Sequence, residues 1–270
     1  MRLIIRLSLI MMFLGAMALP LHADLTDGLI LLFTFDSGDG TDSSGSGHDG
    51  ELNADASVIK DKVKYGTGAL QIEGGQQQMT VASFGELEEY QDNTYLFWIY
   101  FTDPASGGWD QILAKPAPGS DRSPGLWVAT DGLSIHYRYN PGNLGPWGIN
   151  PDGLDGRADG AYFEENQWYH IAGVTADGVL TVYVDGKVKG EAAIPGAIAQ
   201  GAGEGATGGL HVGNSPAYGG PAAKFIIDDL AVYTRGLDEG EVAEIMKGDF
   251  LAVEATGKLA YTWGKIKADR

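Results

Sequence analysis

Residues 168–190 read WYHIAGVTADGVLTVYVDGKVKG, and this stretch decides the fold. Two runs rich in Val, Ile, Thr and Tyr flank Asp177-Gly178, a dipeptide that favours the two-residue type I′ turn of a β-hairpin. Alternation along the two strands then gives one continuous apolar face, which we expect to be buried. The cross-strand pairs predicted on that face are Ile171 with Val184, Gly173 with Val182, and Thr175 with Leu180.

The opposite face of this hairpin is mixed in character and pairs His170 with Asp185. An imidazole opposite a carboxylate invites a catalytic interpretation, but no motif places a Ser or Cys nucleophile beside it, so a structural role is favoured. A hairpin with one apolar face and one aromatic, polar face is typical of the inner layer of a two-sheet sandwich.

Further strands are predicted on both sides of the hairpin. The apolar runs 29–35 and 94–101 lack polar alternation, so we predict strands that are buried on both faces. A second hairpin is predicted over 125–140 with Asp131-Gly132 at its turn. Its outward-facing pairs are Trp127 with His136 and Gly125 with Arg138.

The order Trp-Tyr-His-Ile-Ala-Gly, a turn, then Leu-Thr-Val-Tyr-Val-Asp-Gly resembles the central hairpin of laminin G-like jellyroll domains, which belong to the concanavalin A-like lectin and glucanase superfamily. Segment 29–50, with Phe-Asp followed by Asp-Ser-Ser-Gly-Ser-Gly-His-Asp-Gly, resembles the start of these domains, and 224–233 resembles their final strand. The resemblance covers about 28–248 and implies an all-β fold, a two-sheet antiparallel jellyroll β-sandwich. A short C-terminal helix should follow, because Asp238 is a good N-cap with Glu241 three positions later.

The N-terminal residues 1–23 have the features of a secretory signal peptide: a basic start, an apolar run over 7–21, and the small residue Ala23 before a polar segment. A membrane anchor is the alternative, but this run is shorter than the ~20 apolar residues that span a bilayer, and no later stretch is long enough. We therefore expect an exported protein, secreted or periplasmic. The domain 28–248 would be followed by a basic tail, 249–270, that folds back onto an acidic sandwich.

The composition narrows the classes of partner. The 270 residues include 36 acidic and 18 basic side chains, which gives a formal net charge of −18 at pH 7. This balance disfavours nucleic acid and anionic membranes as partners. There is no cysteine, so the loops of an exported chain must be held by packing, turns or metal rather than by disulfides.

Catalytic motifs are not evident. The glucanases of the superfamily are expected to carry Glu-x-Asp-x-Glu on one strand, which places two glutamates on the concave face. That motif is absent here, and the nearest acidic cluster, 86–89, is expected to be a solvated loop or turn. We therefore predict a non-catalytic protein. The alternatives are a polysaccharide-degrading enzyme, for example a lyase that uses His136, Tyr137, Arg138 and Tyr139 as acid and base, and a structural adhesion or envelope protein.

The aromatic residues favour carbohydrate as the ligand. Sugars present apolar C–H faces, and binding proteins meet them with exposed rings beside a few oriented polar groups. The alternative is that the rings close the ends of the sandwich as core. The candidate ligand-binding residues are Trp109, Trp127, His136, Arg138, Trp147 and Tyr218. The sequence thus predicts a secreted recognition module for an extracellular glycan.

The last strand contains a misfit that suggests calcium. Alternation places Asp228 on the same face as Leu230, where a carboxylate is unfavourable unless something pairs with it. A hard cation would resolve this, and the domains that the chain resembles often hold a structural Ca²⁺ where the first and last strands meet. The resemblance implies Asp36 and Asp228 as ligands, with Asp42 of loop 36–50 as a third candidate. The alternative is that Asp228 accepts a backbone N–H bond from that loop.

Overall fold

The computed structural model describes residues 24–152 and 162–248. The predicted signal peptide, 1–23, and the predicted basic tail, 249–270, lie outside the described residues. The strands are β1 (Leu29–Phe33), β2 (Gly50–Asn53), β3 (Ser57–Ile59), β4 (Ala69–Gly75), β5 (Gln78–Val81), β6 (Asn93–Phe101), β7 (Asp110–Ala117), β8 (Asp121–Val128), β9 (Ile135–Arg138), β10 (Trp168–Ala176), β11 (Val179–Val184), β12 (Lys187–Ala193), β13 (Leu210–Gly213) and β14 (Ala222–Tyr233). The helices are α1 (Gly85–Glu89) and α2 (Glu239–Met246).

These strands form two layers. One layer follows the order β12-β11-β10-β6-β14, with β1 and β4 also paired with β14, and the other follows β7-β13-β5-β2, with β8 and β9 added beside β7. The strands pair antiparallel except where β14 meets β7 in parallel at Ala222 and Gln111. That single parallel contact joins the two layers at one edge.

The main apolar core lies between the layers. It contains buried side chains from both, among them Phe97 and Ile171 from one layer and Leu126 and Tyr137 from the other. Gly173 of β10 marks how closely the layers approach, because a Cβ at this position would collide with the Tyr137 ring. A β-sandwich with a shared core is therefore confirmed.

The central hairpin is confirmed in register and in turn type. β10 and β11 pair Ile171 with Val184 and continue to Ala176 with Val179. Asp177 and Gly178 have φ angles of 50° and 74°, as a type I′ turn requires.

The outer face of this hairpin is covered by α2. Tyr183 and Val174 pack in a second cluster with Val242 and Ile245. The predicted capping box is present: Asp238 Oδ1 accepts from the Glu241 N–H at 2.8 Å, and a Glu241 carboxylate oxygen accepts from the Asp238 N–H at 2.8 Å. Two orphan donors at the helix start are thereby satisfied.

The predicted pairing of His170 with Asp185 is present, but it does not involve the imidazole. Asp185 Oδ1 accepts from the backbone N–H of His170 at 2.9 Å. The His170 ring lies edge-on to Trp98, and its Nδ1 has no hydrogen-bond partner within the described part of the chain. The Asp185 side chain thus stabilises the hairpin by binding the backbone of His170.

A solvated loop was the expectation for 86–89, and the structure corrects it. These residues form α1, in which Leu87 is fully buried. Glu88 forms an ion pair with Lys115, whose side chain is only 1% exposed. Glu88 therefore neutralises a buried lysine, which the sequence pattern did not reveal, while Glu86 and Glu89 are exposed.

The alternation predicted for the last strand is wrong at Asp228. The pairing of β14 with β6 shifts between Asp228 and Ala231, and Asp229 adopts a φ of 48°. This β-bulge inserts one residue and exchanges the faces of the strand. Leu230 consequently faces the main core, whereas Asp228 lies on the side of Ile226, away from it.

Candidate functional site

The second predicted hairpin, formed by β8 and β9, carries the centre of the site. Its register pairs Leu126 with Tyr137 on the core face and Trp127 with His136 on the outer face, as predicted. Gly125 lets the Trp127 ring fold back along the strand, because a Cβ there would overlap the ring. The indole therefore extends back over Gly125 and forms the floor of a depression.

Two further tryptophans stand above this floor. The centroid of the Trp109 ring lies 4.9 Å from the His136 ring and 5.4 Å from the Trp147 ring. The Trp147 ring lies 4.2 Å from the His136 ring at an interplanar angle of 79°. Edge-to-face contacts of this kind hold the rings in fixed relative orientations.

The turn that carries Trp147 is built from residues suited to positive φ. A bridge between Tyr139 and Leu144 closes the turn, and Gly142 and Asn143 adopt φ angles of 90° and 52°. Arg138 reinforces it: Nη1 donates to the carbonyl oxygens of Asn143, at 3.2 Å, and Gly145. The Arg138 guanidinium also lies 5.0 Å from the Trp147 ring centroid. Arg138 therefore stabilises the position of the Trp147 ring and of the turn that precedes it.

A buried glutamine anchors the loop that carries Tyr218. Gln111 of β7 is fully buried, accepts from the Ser215 N–H at 2.9 Å, and donates to the Gly220 carbonyl at 2.9 Å. The Tyr218 hydroxyl donates to the Asp121 carbonyl at 2.7 Å, and its ring meets Trp127 edge-on at 5.3 Å. The loop thus presents Tyr218 in a defined position against Trp127.

Together these groups enclose a depression of about 310 Å³ that we call the aromatic pocket. Trp109 has 37% of its surface exposed, whereas Trp127 has 5%. The pocket is lined by Trp109, Arg122, Trp127, His136, Asn143, Trp147, Tyr218 and Gly219. The structure thus brings five of the six predicted ligand-binding residues together, and the sixth, Arg138, supports them.

Arg122 and Asn143 were not identified from the sequence. The Arg122 guanidinium lies 4.9 Å from the Trp127 ring centroid, and its Nη2 donates to Asn143 Oδ1 at 2.7 Å. Burial lowers the pKa of the Arg122 guanidinium, while Tyr218 and Asp121 act in the opposite direction. None of the described residues that line the aromatic pocket is acidic.

The tyrosines considered for a lyase do not reach this pocket. Tyr137 and Tyr139 are fully buried on the core face of β9 and the following turn. Burial raises the pKa of Tyr139 to about 12. Tyr139 donates its hydroxyl to Asn93 Oδ1 at 2.6 Å, inside the core. The acid and base groups suggested for a lyase are therefore split between two faces of the strand.

The three predicted calcium ligands do not all meet. Asp42 is buried, and its Oδ1 accepts from the N–H groups of Leu32 in β1 at 3.1 Å and Ser44 in its own loop at 2.9 Å. Asp36 accepts from the Thr67 N–H. Across 24–152 and 162–248, no group of three acidic or imidazole side chains is placed to hold a metal ion.

Asp36 nevertheless interacts electrostatically with two adjacent carboxyl groups of β14, those of Asp228 and Asp229. Asp228 is fully buried, and it accepts from the N–H groups of Lys64 at 2.8 Å and Tyr65 at 3.3 Å. Burial raises the pKa of Asp228 to about 7, against the lowering effect of these bonds, and Asp36 raises it further. Burial, then the charges of Asp228 and Asp36, raise the pKa of Asp229 to about 8. Asp228 thus has backbone donors from a different loop than the one expected, while the surroundings of Asp229 disfavour the charged form of its carboxyl group.

Sequence comparison identifies the family of this chain. Residues 73–243 match the sequence model described as the concanavalin A-like lectin/glucanases superfamily. A search of curated proteins finds no significant relative. Within the described residues, no helix is long and apolar enough to cross a membrane.

Several solved structures share the fold at low sequence identity. Domain 4 of AbnA, an extracellular arabinanase from Geobacillus stearothermophilus solved with arabinotriose, is 18% identical with a TM-score of 0.56, and the match covers 81% of this chain and 98% of that one. The sialidase of Trypanosoma rangeli, solved with sialic acid, is 16% identical with a TM-score of 0.56, covering 81% and 32%. The receptor-binding domain of botulinum neurotoxin D is 12% identical with a TM-score of 0.56, covering 84% and 54%. These likenesses confirm the predicted jellyroll sandwich.

Proposed function

Because the chain belongs to the concanavalin A-like lectin/glucanase superfamily, we propose that it is an exported, non-catalytic recognition module that binds a glycan in the aromatic pocket. The observation that carries the proposal is the cluster of Trp109, Trp147 and His136 at an open pocket, with Trp109 37% exposed. Rings that served only as core would be covered on all sides. Exposed rings beside polar groups suit the alternating C–H faces and hydroxyls of a sugar.

Polar donors accompany the rings. Arg122 and His136 line the pocket with nitrogen donors, and Asn143 adds an amide at the rim. These groups can bind sugar hydroxyls while the indoles cover the apolar faces. The arabinanase domain, which is matched over 98% of its length and was solved with arabinotriose, supports a sugar as the ligand class here.

A polysaccharide-degrading enzyme is the alternative function. Most glycoside hydrolases use two carboxyl groups that flank the scissile bond. The described lining of the aromatic pocket contains no carboxylate, which favours binding over hydrolysis. A reducing-end and unsaturated-product assay across neutral, acidic and sulfated polysaccharides distinguishes the two functions, since turnover at this pocket would replace the binding proposal by an enzymatic one.

The direct test of glycan binding uses Trp109→Ala on a glycan array and then by calorimetry. We expect the variant to lose about 1 to 2 kcal/mol of binding free energy, because a stacked ring is removed, and to keep its melting temperature. Trp168→Ala is the matched control, since Trp168 is a partly buried tryptophan that packs on Tyr100 instead. If Trp109→Ala bound every glycan as well as the wild type, the ligand would have to lie elsewhere.

Calcium forms the second part of the proposal. Asp36, Asp228 and Asp229 interact electrostatically, and a cation between them would offset the cost of burying these charges. Asp36 and Asp228 stay the proposed ligands, whereas the Asp42 carboxylate already accepts from the N–H groups of Leu32, Ser44 and His48. We therefore propose Asp36 and Asp228 as the side-chain ligands of a structural ion, with backbone carbonyls and water completing its oxygen shell.

A further inference from the structure

Arg122 is a half-buried cation to which no carboxylate of residues 24–152 and 162–248 is bonded. Its Nη2 donates to the neutral Asn143 amide at 2.7 Å, its guanidinium lies over Trp127, and its Nε has no hydrogen-bond partner in the described part of the chain. Asp121 acts on it only through longer-range electrostatics. The positive charge therefore faces the aromatic pocket without a bound counterion.

Two other partly buried cations, Arg235 and Lys115, are paired with carboxylates, whereas Lys62 and Lys64, like Arg122, lie over aromatic rings. Arg235 binds Glu241 through two parallel hydrogen bonds of 2.8 and 2.6 Å. Lys115 forms an ion pair with Glu88. Arg122 differs from Arg235 and Lys115 because no carboxylate of the described residues is bonded to its guanidinium, although the chain has 36 acidic side chains. Desolvating a charge without pairing it is costly, so the arrangement is explained if a ligand supplies the anion.

The geometry of the pocket suits one kind of ligand. A guanidinium presents a planar fork of N–H donors that matches a carboxylate or a sulfate, and such charge-assisted bonds are roughly twice as strong as neutral ones. The rings of Trp109 and Trp147 line the same pocket as Arg122. A sugar ring that carries an acidic group can contact these rings while its anion meets the fork.

The overall negative charge of the protein does not prevent this. At physiological ionic strength, charges farther apart than about 8 Å are largely screened, so the groups around the pocket decide the local potential. The cation at the pocket is Arg122, on which Asp121 acts from outside the lining, and the described lining itself contains no acid.

From these observations we infer that the aromatic pocket is selective for acidic glycans and that Arg122 binds the carboxylate or sulfate of the sugar. The inference rests on the proposed function and narrows it to a substrate class. Asn143 acts as a positioning residue, because its amide oxygen fixes one edge of the guanidinium and leaves the rest of the fork for the ligand.

The test compares matched oligosaccharides that are neutral, carboxylated (uronate) or sulfated, by calorimetry at constant ionic strength. The wild type should prefer at least one acidic series to the neutral one by roughly tenfold or more. Arg122→Gln should reduce that preference to about threefold or less while neutral binding persists. Arg122→Lys should retain part of it, because the charge remains and the fork is lost. The carboxylated and sulfated arms identify which anion is read.

Two further variants keep the result interpretable. Asn143→Asp places a carboxylate beside Arg122 at an exposed turn position with a φ of 52°, which Asp tolerates, so it should abolish the acidic preference without deleting the arginine. Lys187→Gln changes the net charge equally at the exposed edge strand β12 and should leave the preference intact.

Two outcomes would overturn the inference. Equal or better binding of neutral glycans by the wild type would remove it and leave the proposed function standing. An acidic preference that survives both Arg122→Gln and Asn143→Asp would place the anion at another group. Failure to bind any glycan of the three series would overturn the inference and the proposed function together.

Discussion

His170 lies at the centre of β10 with 1% of its side chain exposed, in edge contact with Trp98. Burial, with a smaller contribution from Lys64, lowers the pKa of this imidazole to about 3. In the unfolded chain an ordinary histidine has a pKa of about 6.5. The ring is thus kept neutral by the fold.

The pH dependence of stability follows from that difference. Below about pH 6.5 the unfolded chain binds a proton that folded His170 cannot bind until about pH 3, so stability is lost as the pH falls through this window. The expected loss is about 1.4 kcal/mol for each pH unit below 6. Urea unfolding from pH 7.5 to 4.5 should show a slope smaller by one proton in His170→Phe than in the wild type. Identical slopes would mean that His170 titrates normally in the folded protein.

At the scale of secondary-structure elements, the two hairpins were predictable and the connections between layers were not. In both hairpins, strand alternation fixed the register, so the sequence placed Trp127 and His136 on one face. Arg122 was not identified from the sequence, because the pairing of β7 with β8 shifts between Ala114 and Pro116 and this shift ends the alternation. In β14, the bulge at Asp229 made the faces predicted from alternation wrong.

The rest of the site depends on loops, whose positions no periodic pattern predicts. Trp109, Trp147 and Tyr218 were chosen as aromatic residues in turn-rich segments, and their convergence required the three-dimensional path. The hydrogen bonds that set this path come from inconspicuous residues. Gln111 and Arg138 each bind carbonyl groups of a neighbouring loop.

Gln111 provides a test of this dependence. Gln111→Leu leaves the buried Ser215 N–H without its acceptor, so we expect a loss of about 1 to 3 kcal/mol of unfolding free energy. The loop that carries Tyr218 should also exchange its amide hydrogens faster, and glycan affinity should fall. Gln71→Leu in β4 is the control, since the Gln71 side chain is partly buried and forms no hydrogen bond with the part of the chain that the structure describes. Unchanged exchange in the loop would show that other contacts hold Tyr218.

At the scale of the whole molecule, the acidic chain brings the carboxyl groups of Asp36, Asp228 and Asp229 near one another beside the final strand. The final strand joins both layers and pairs with β1, β4, β6 and β7, so its bulge lies at a junction of the fold. Asp228 and Asp229 meet Asp36 at this junction, and their charges oppose one another. Stability of the entire domain should therefore respond to any cation bound there.

The calcium prediction is a melting experiment at pH 7.5 in excess chelator and in millimolar Ca²⁺. Saturation at about 100 times the dissociation constant would add ~2.7 kcal/mol to the free energy of unfolding. For a domain of this size, that corresponds to an increase of roughly 5 to 10 °C in melting temperature. Asp228→Asn should abolish the shift, because it removes the buried carboxylate. Asp42→Asn should keep the shift, because Asp42 accepts from the backbone of Leu32 and Ser44 instead. A melt that is the same in chelator and calcium removes the site, and a shift that survives Asp228→Asn moves the ion to other ligands.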